Sequence, residues 1–317
     1  MNAPRNTAGG AEIARRSVEL DGRRVSYLVA GDPATAPTIL LIHGSGVSAR
    51  YWDNQLQSLA GALRVVAIDL PGHGASEPMP PTQRVSVEAY GEVVASFLDA
   101  LGAGPVIVAG HSLGGAIAIA LAARRPDAVS ALLLLSSCAK LPPADGPGER
   151  FLAALPGPLR RLLVFSLAKK LLFAPGAPDA AVSLGMQELR ACRPETILND
   201  VQAGKTMDLS GPATRLEVPT LILCGSQDGL TPPALSARLG ELIPRSRVRI
   251  VDGAGHMLLL EVPDRVNQEI LTFVGSSVAL ADGPSPIGGW NRRGRSRIRR
   301  VLDWVRNIGR GLTAKPR

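Results

Sequence analysis

Ser112 lies in Gly110-His111-Ser112-Leu113-Gly114, and the residues around it decide what chemistry it can do. A serine hydroxyl is a weak nucleophile at neutral pH unless a neighbouring base takes its proton. The apolar run Val106 to Ala109 leads into this pentapeptide and a helical pattern, Leu113 to Arg125, leads out of it. That is the setting of a sharp strand-to-helix turn, on which glycines at 110 and 114 relieve crowding and leave the serine open. The helix that starts there turns its positive end toward charge developing on a carbonyl oxygen. The competing role for a serine at such a position is a helix N-cap.

The chain has four histidines, His43, His73, His111 and His256. His111 is constrained by the turn, while His43 and His73 sit in Gly-rich loops after early strands and are expected to brace them. His256 is the candidate base, because Gly253-Ala254-Gly255-His256 follows the last strand in a loop able to return over Ser112. A base of this kind needs an acid to fix its tautomer and balance its charge. Asp228, just beyond the apolar run Thr220 to Cys224, is the candidate. Asp252 and Asp69 are its rivals; Asp252 leaves its strand four residues before His256 and suits a turn-capping role.

These residues need a frame that brings loops together. Ser17 to Leu20 and Arg23 to Val29 flank Asp21-Gly22 and predict a hairpin. Strands are predicted at Thr38 to Ile42, Arg64 to Ile68, Val106 to Ala109, Ala131 to Leu135, Thr220 to Cys224 and Val248 to Val251. Helical spacing occupies Tyr51 to Leu63, Val87 to Leu101, Leu113 to Arg125, Pro233 to Leu242 and Pro263 to Val274. Such alternation predicts an α/β fold, a doubly wound and mostly parallel sheet opened by a β-hairpin. Between Ala139 and Pro212 the rhythm changes to an apolar helix, Leu159 to Phe173, and a helical pair from Asp179 to Met207, which reads as an inserted helical lid. The expected organisation is a flexible N-terminus (1–16), a core (17–138 and 213–277), a lid (139–212) and a linker with a basic tail (278–317).

The motifs His43-Gly44-Ser45-Gly46, Asp69-Leu70-Pro71-Gly72-His73-Gly74-Ala75-Ser76, Gly110 to Gly115, Asp228 and Gly255-His256 together resemble the α/β-hydrolase superfamily, in particular its lid-bearing bacterial esterases. The resemblance runs from about Val18 to Val274. It implies a triad in the order Ser112, Asp228, His256, and an oxyanion hole from the backbone N–H groups of Leu113 and Ser45. Gly44, Met257 and Phe165 are expected beside the substrate, under an apolar ceiling from Phe151, Leu155, Leu162, Leu163, Phe165, Leu171 and Phe173. The expected reaction is hydrolysis of a small or medium apolar carboxylic ester through an acyl-enzyme on Ser112.

Within that resemblance, serine rather than aspartate at position 112 disfavours the superfamily's epoxide-opening and halide-displacing subfamilies. Carbon–carbon bond hydrolases of this superfamily usually carry other residues than His111 and Met257 at these two positions. That reading stays as an alternative, with perhydrolysis, acyl transfer to another acceptor, and ligand sensing without turnover. Triad chemistry calls for no cofactor, and no His-Glu-x-x-His or Cys-x-x-Cys spacing calls for a metal.

Composition sets outer limits. With 45% hydrophobic and 20% charged residues in 317, the chain can bury a full enzyme core. The net charge of +8 belongs to the tail, since residues 283–317 carry nine Arg and one Lys against Asp303, or +9, leaving −1 for the rest. Arg295 to Leu312 aligns Ile298, Val301, Leu302, Val305 and Ile308 on one helical face, with Trp290 before the segment and Trp304 within it. A solvated extension, an anionic membrane-surface helix formed by residues 283–317, and an electrostatic, salt-sensitive contact with nucleic acid or an acidic protein all fit; specific nucleic-acid recognition does not. Cys138, Cys192 and Cys224 read as reduced thiols, and no secretory signal is seen at the N-terminus, so the expected location is cytoplasmic, peripheral at the membrane's inner face if the tail takes the membrane-surface reading. Val106 to Ala123, though apolar, is broken by Gly110, His111, Gly114 and Gly115 and reads as core rather than a span.

Overall fold

The computed structural model describes residues 11–32, 36–142 and 166–281. Their eight strands form one sheet: β1 (Ala14–Leu20), β2 (Arg23–Ala30), β3 (Thr38–Ile42), β4 (Arg64–Ile68), β5 (Val106–His111), β6 (Val129–Leu135), β7 (Thr220–Gly225) and β8 (Ser246–Val251). Their spatial order is β1-β2-β4-β3-β5-β6-β7-β8, with β1 and β2 antiparallel to their neighbours and the rest parallel. The hairpin turns where Asp21 and Gly22 take φ of 50° and 70°, as a two-residue turn requires. β1 starts at Ala14, earlier than expected for the flexible N-terminus. Arg15 holds it there, its guanidinium 2.6 Å from both Asp69 Oδ2 and Ser26 Oγ, a tie that apolar patterning does not reveal.

The central strands read as unbroken apolar runs because both sheet faces are covered. Along β3, Leu40 and Ile42 join one core cluster with Tyr90, Phe97 and Ile117, while Ile39 and Leu41 join the other with Trp52, Leu56 and Ile270. The helices supplying these faces are α1 (Asp53–Leu59), α2 (Val87–Leu101), α3 (Leu113–Arg124), α7 (Pro233–Leu242) and α9 (Pro263–Ala281). Ser86 caps α2 by accepting from Ala89 N–H, and Gly102 ends it at φ 57°.

Two helices differ from expectation. The segment Tyr51 to Leu63 divides into a 3₁₀ turn, Ala49–Trp52, and the short α1, which stops where the N–H groups of Ala62 and Leu63 both bond to the Leu59 carbonyl. At the other end α9 continues past the expected boundary at 277, because no proline interrupts it before Ala281. The basic amphipathic segment lies outside the described residues. No helix among the described residues is long and apolar enough to cross a membrane, and the apolar stretch after Val106 divides into β5 and α3 as predicted.

Between β6 and β7 the chain leaves the sheet. Residues 166–172 are helical, followed by α4 (Asp179–Ala191), α5 (Pro194–Thr206) and the short α6 (Ser210–Thr214). A buried ion pair fixes α5 to the core: Asp200 Oδ2 is 2.9 Å from His73 Nε2, and Asp200 Oδ1 accepts from the Tyr90 hydroxyl at 2.7 Å. His73 Nδ1 lies 3.2 Å from the Pro71 carbonyl, so both ring nitrogens face acceptors and the ring is an imidazolium. Burial alone would lower its pKa, but Asp200 and Cys192 beside it raise it to about 10. Asp200→Ala would leave that charge buried and unpaired, and a loss of about 3–5 kcal/mol is expected in urea unfolding. A loss under ~1 kcal/mol would show that the pair does not hold α5.

Candidate functional site

The site forms at the carboxyl ends of β5, β7 and β8, where open α/β sheets gather their loops. Ser112 sits between β5 and α3 with φ 53° and ψ −119°, a conformation non-glycine residues avoid. Its N–H donates to the Leu135 carbonyl at 2.9 Å, and its own carbonyl accepts from Gly115 N–H and from the Ser137 hydroxyl, both at 2.9 Å. The strained turn is therefore pinned on both sides. The glycines act by space: a Cβ on Gly110 would strike the Gly114 carbonyl, and one on Gly114 would strike the Ile42 carbonyl. Ser112 makes no side-chain capping bond to α3, which removes the N-cap role; it is half-buried.

His256 follows β8 and is 2% exposed; Asp228 follows β7 and is 3% exposed. His256 Nδ1 lies 3.1 Å from Asp228 Oδ1 and 3.0 Å from Oδ2. The carboxylate also accepts from the N–H groups of Leu230 (3.0 Å) and Thr231 (2.8 Å) on Oδ1. Burial raises its pKa, but the His256 ring and the Thr231 N–H more than offset that, and the net shift is downward. An ionised Asp228 requires the proton on His256 Nδ1, which leaves Nε2 as the free acceptor.

His111 links this pair to the serine. Its Nε2 is 2.9 Å from the His256 carbonyl, and the two rings lie 4.9 Å apart. Burial, and then the nearby His256, lower its pKa to about 3, so it is neutral and donates from Nε2. The residue preceding Ser112 thus holds the backbone of His256. On the other side, a Cβ on Gly44 would come 3.1 Å from Ser112 Cβ, which places the 43–46 loop against the serine.

His43, Asp69 and Asp252 have other roles or places. His43 donates from Nδ1 to the Gly44 carbonyl at 2.7 Å and accepts from Leu70 N–H at 3.0 Å, bracing two loops. Asp69 pairs with Arg15 and accepts from the N–H groups of Ala49 and Ala75, while Asp252 is exposed beyond β8. Met257, expected beside the substrate, is 4% exposed, and its Cε lies 3.1 Å from where a Cβ on Gly185 of α4 would stand, so it packs in the core. Phe173 is buried at the same place, Leu171 lies over Gly229, and Leu113 and Ser45 sit at the start of α3 and in the 43–46 loop. Phe165, with Phe151, Leu155, Leu162 and Leu163, lies outside the described residues. A surface cleft of about 600 Å³ lined by Leu20, Arg23, Glu92 and Asp99 includes none of Ser112, Asp228 and His256. Among the described residues no three His, Cys, Asp or Glu side chains are grouped as a metal ion would need.

Thr231 is the residue that motif reading missed. Its hydroxyl is 2.9 Å from Asp228 Oδ2, 3.0 Å from the Ser136 carbonyl and 3.1 Å from His256 Nδ1. The available signal was local: an aspartate leaving a strand turns its carboxylate back onto backbone N–H groups two and three residues on, which brings residue 231 beside it. Thr231→Val is expected to lower kcat on an ester about tenfold, the worth of one hydrogen bond to a charged group, with an unchanged urea midpoint. An unchanged kcat would remove Thr231 from the site.

A family model described as the alpha/beta hydrolase fold matches residues 37–263. The chain belongs to this family. Among alpha/beta hydrolases and related proteins, it is 30% identical over 233 residues to a pimeloyl-[acyl-carrier protein] methyl ester esterase of Neisseria meningitidis serogroup C, covering 71% of this chain and 88% of the relative. It is 30% identical over 280 residues to a dihydrolipoyllysine-residue acetyltransferase component of an acetoin cleaving system from Pseudomonas putida, covering 84% and 72%. The crystal structure of a hydrolase from Pseudomonas aeruginosa superposes with a TM-score of 0.72 at 26% identity, covering 85% of this chain and all (100%) of that one. The family match and the likeness to the esterase support hydrolase chemistry for this member of the family.

Proposed function

We propose that this protein is a serine hydrolase that cleaves small or medium apolar carboxylic esters, with Ser112 as nucleophile, His256 as base and Asp228 as the orienting acid. The observation that carries the reading is that one strained serine turn and one buried carboxylate–imidazole pair meet, joined by the His111 bond to the His256 carbonyl. His256 Nε2 takes the Ser112 proton as Oγ bonds to the carbonyl carbon. The oxyanion is held by the N–H groups of Leu113, at the unpaired start of α3, and Ser45, in the loop beside Ser112. The imidazolium, balanced by Asp228, protonates the leaving alkoxide as the ester bond breaks. Water, deprotonated by the same base, then releases the acid and regenerates Ser112.

Residues 139–212 act as the lid and 17–138 with 213–277 as the core in this reading, with Leu171 and Phe173 descending from the lid toward the site. The test is turnover of p-nitrophenyl esters of rising acyl length. Hydrolysis with a preferred length supports it; no turnover of any ester and no reaction with a fluorophosphonate would overturn it. The likeness to the acetyltransferase component favours a second reading, transfer of the Ser112-bound acyl group to a thiol or alcohol. Faster p-nitrophenol release with an added acceptor, together with acylated acceptor, would identify it.

A further inference from the structure

Glu261, the last residue of the short helix α8 (Leu258–Glu261), is 6% exposed, and no step of the proposed chemistry uses it. One of its oxygens, Oε2, accepts from Gly255 N–H and from Ala174 N–H, each at 3.0 Å. Oε1 has no partner among the described residues. Gly255 precedes His256, and Ala174 belongs to the limb by which the 166–178 segment returns to the core. The two stretches touch: a Cβ on Gly255 would stand 2.5 Å from Ala174 N and 2.8 Å from the Phe173 carbonyl carbon. The same limb takes a further bond, from Met257 N–H to the Leu172 carbonyl at 3.0 Å.

Three consecutive residues of the histidine loop are therefore held at their own backbone groups. Glu261 takes the amide of Gly255, His111 the carbonyl of His256, and Leu172 the amide of Met257. Asp228 and Thr231 both reach the His256 ring at Nδ1, so the ring's height over Ser112 depends on how the backbone of the loop is held. Misplacing a reacting group by about 1 Å can cost on the order of 10²-fold in rate.

We propose that Glu261 is a positioning residue, whose carboxylate straps the inserted limb at Ala174 to the histidine loop at Gly255 and so sets the base over the nucleophile. The strap rests on His256 being the base, and makes the seating of the 172–174 limb a condition for turnover. Its function is acceptance of two N–H bonds, which a glutamine carbonyl can also provide, with its NH₂ turned to where Oε1 stands.

The experiment compares full-length Glu261→Ala and Glu261→Gln with wild type by ester kinetics and by amide hydrogen exchange. Glu261→Ala is expected to lower kcat about 10–100-fold with KM within about threefold, and to speed exchange at Gly255 and Ala174 while Val108 and Leu133 in the sheet stay protected. Glu261→Gln is expected to restore kcat to within about fivefold of wild type and slow exchange at both amides. A Glu261→Ala kcat within about threefold of wild type, or Glu261→Gln failing as Ala does, overturns the strap. If Glu261→Ala does not fold, the glutamine variant alone decides by the same two readouts. Persistence of activity in Ser112→Ala would instead sink the hydrolase reading, while exchange at Gly255 and Ala174 would still report the strap.

Discussion

Ser112→Ala is expected to lower kcat/KM on the preferred ester by about 10⁴-fold or more, with the urea midpoint unchanged or raised. The rate falls because the nucleophile is gone while two nearby hydroxyls are engaged elsewhere: Ser137 donates to the Ser112 carbonyl, and the Thr231 hydroxyl is taken up by Asp228 and Ser136. Stability does not fall, because the Ser112 side chain caps nothing and sits at φ 53°, where a serine is itself strained. The two readouts should therefore separate. A variant that lost activity by unfolding would lower both together, and circular dichroism with urea titration checks this. Activity within tenfold of wild type would mean that another group attacks.

Asp228→Asn is expected to lower kcat about 10³- to 10⁴-fold without loss of fold, through the tautomer of His256. The donors around position 228 dictate how an asparagine sits. Oδ1 receives two backbone N–H bonds, from Leu230 and Thr231, so the amide oxygen takes that place. The NH₂ then stands where Oδ2 was, facing Thr231 Oγ1 and His256 Nδ1. Facing a donor, His256 moves its proton to Nε2 and can no longer accept one from Ser112. KM should change little, since the carboxylate touches no substrate in this account. Full activity in Asp228→Asn would leave the tautomer argument without support and reopen the choice of acid.

How much of this was legible beforehand follows from the range of the forces. The sheet was legible because β3, β5, β6 and β7 are buried on both faces and carry unbroken Ile, Leu and Val runs. The turn at Ser112 was legible because its glycines answer local crowding. Asp228 and His256 were candidates by position after their strands, and their pairing needed coordinates, since nothing in either loop encodes the other. Asp252 could be set aside only when its exposure was seen. Illegible were the ties between distant polar groups: Arg15 to Asp69 over 54 positions, His73 to Asp200 over 127, and Ala174 to Glu261 over 87. A single charged residue carries no periodicity, so its partner is set by the fold. The packing of Met257 was illegible for the same reason, because it is set by the arrival of α4 over the histidine loop.

The central claim is that Ser112 is the nucleophile, and the most direct measurement is to react the full chain with a fluorophosphonate and locate the adduct by peptide mass spectrometry. The account predicts one adduct, on Ser112, forming at the rate at which ester hydrolysis is lost and absent from Ser112→Ala. An adduct on any other residue whose formation abolishes hydrolysis, or complete inactivation with Ser112 unmodified, would contradict it.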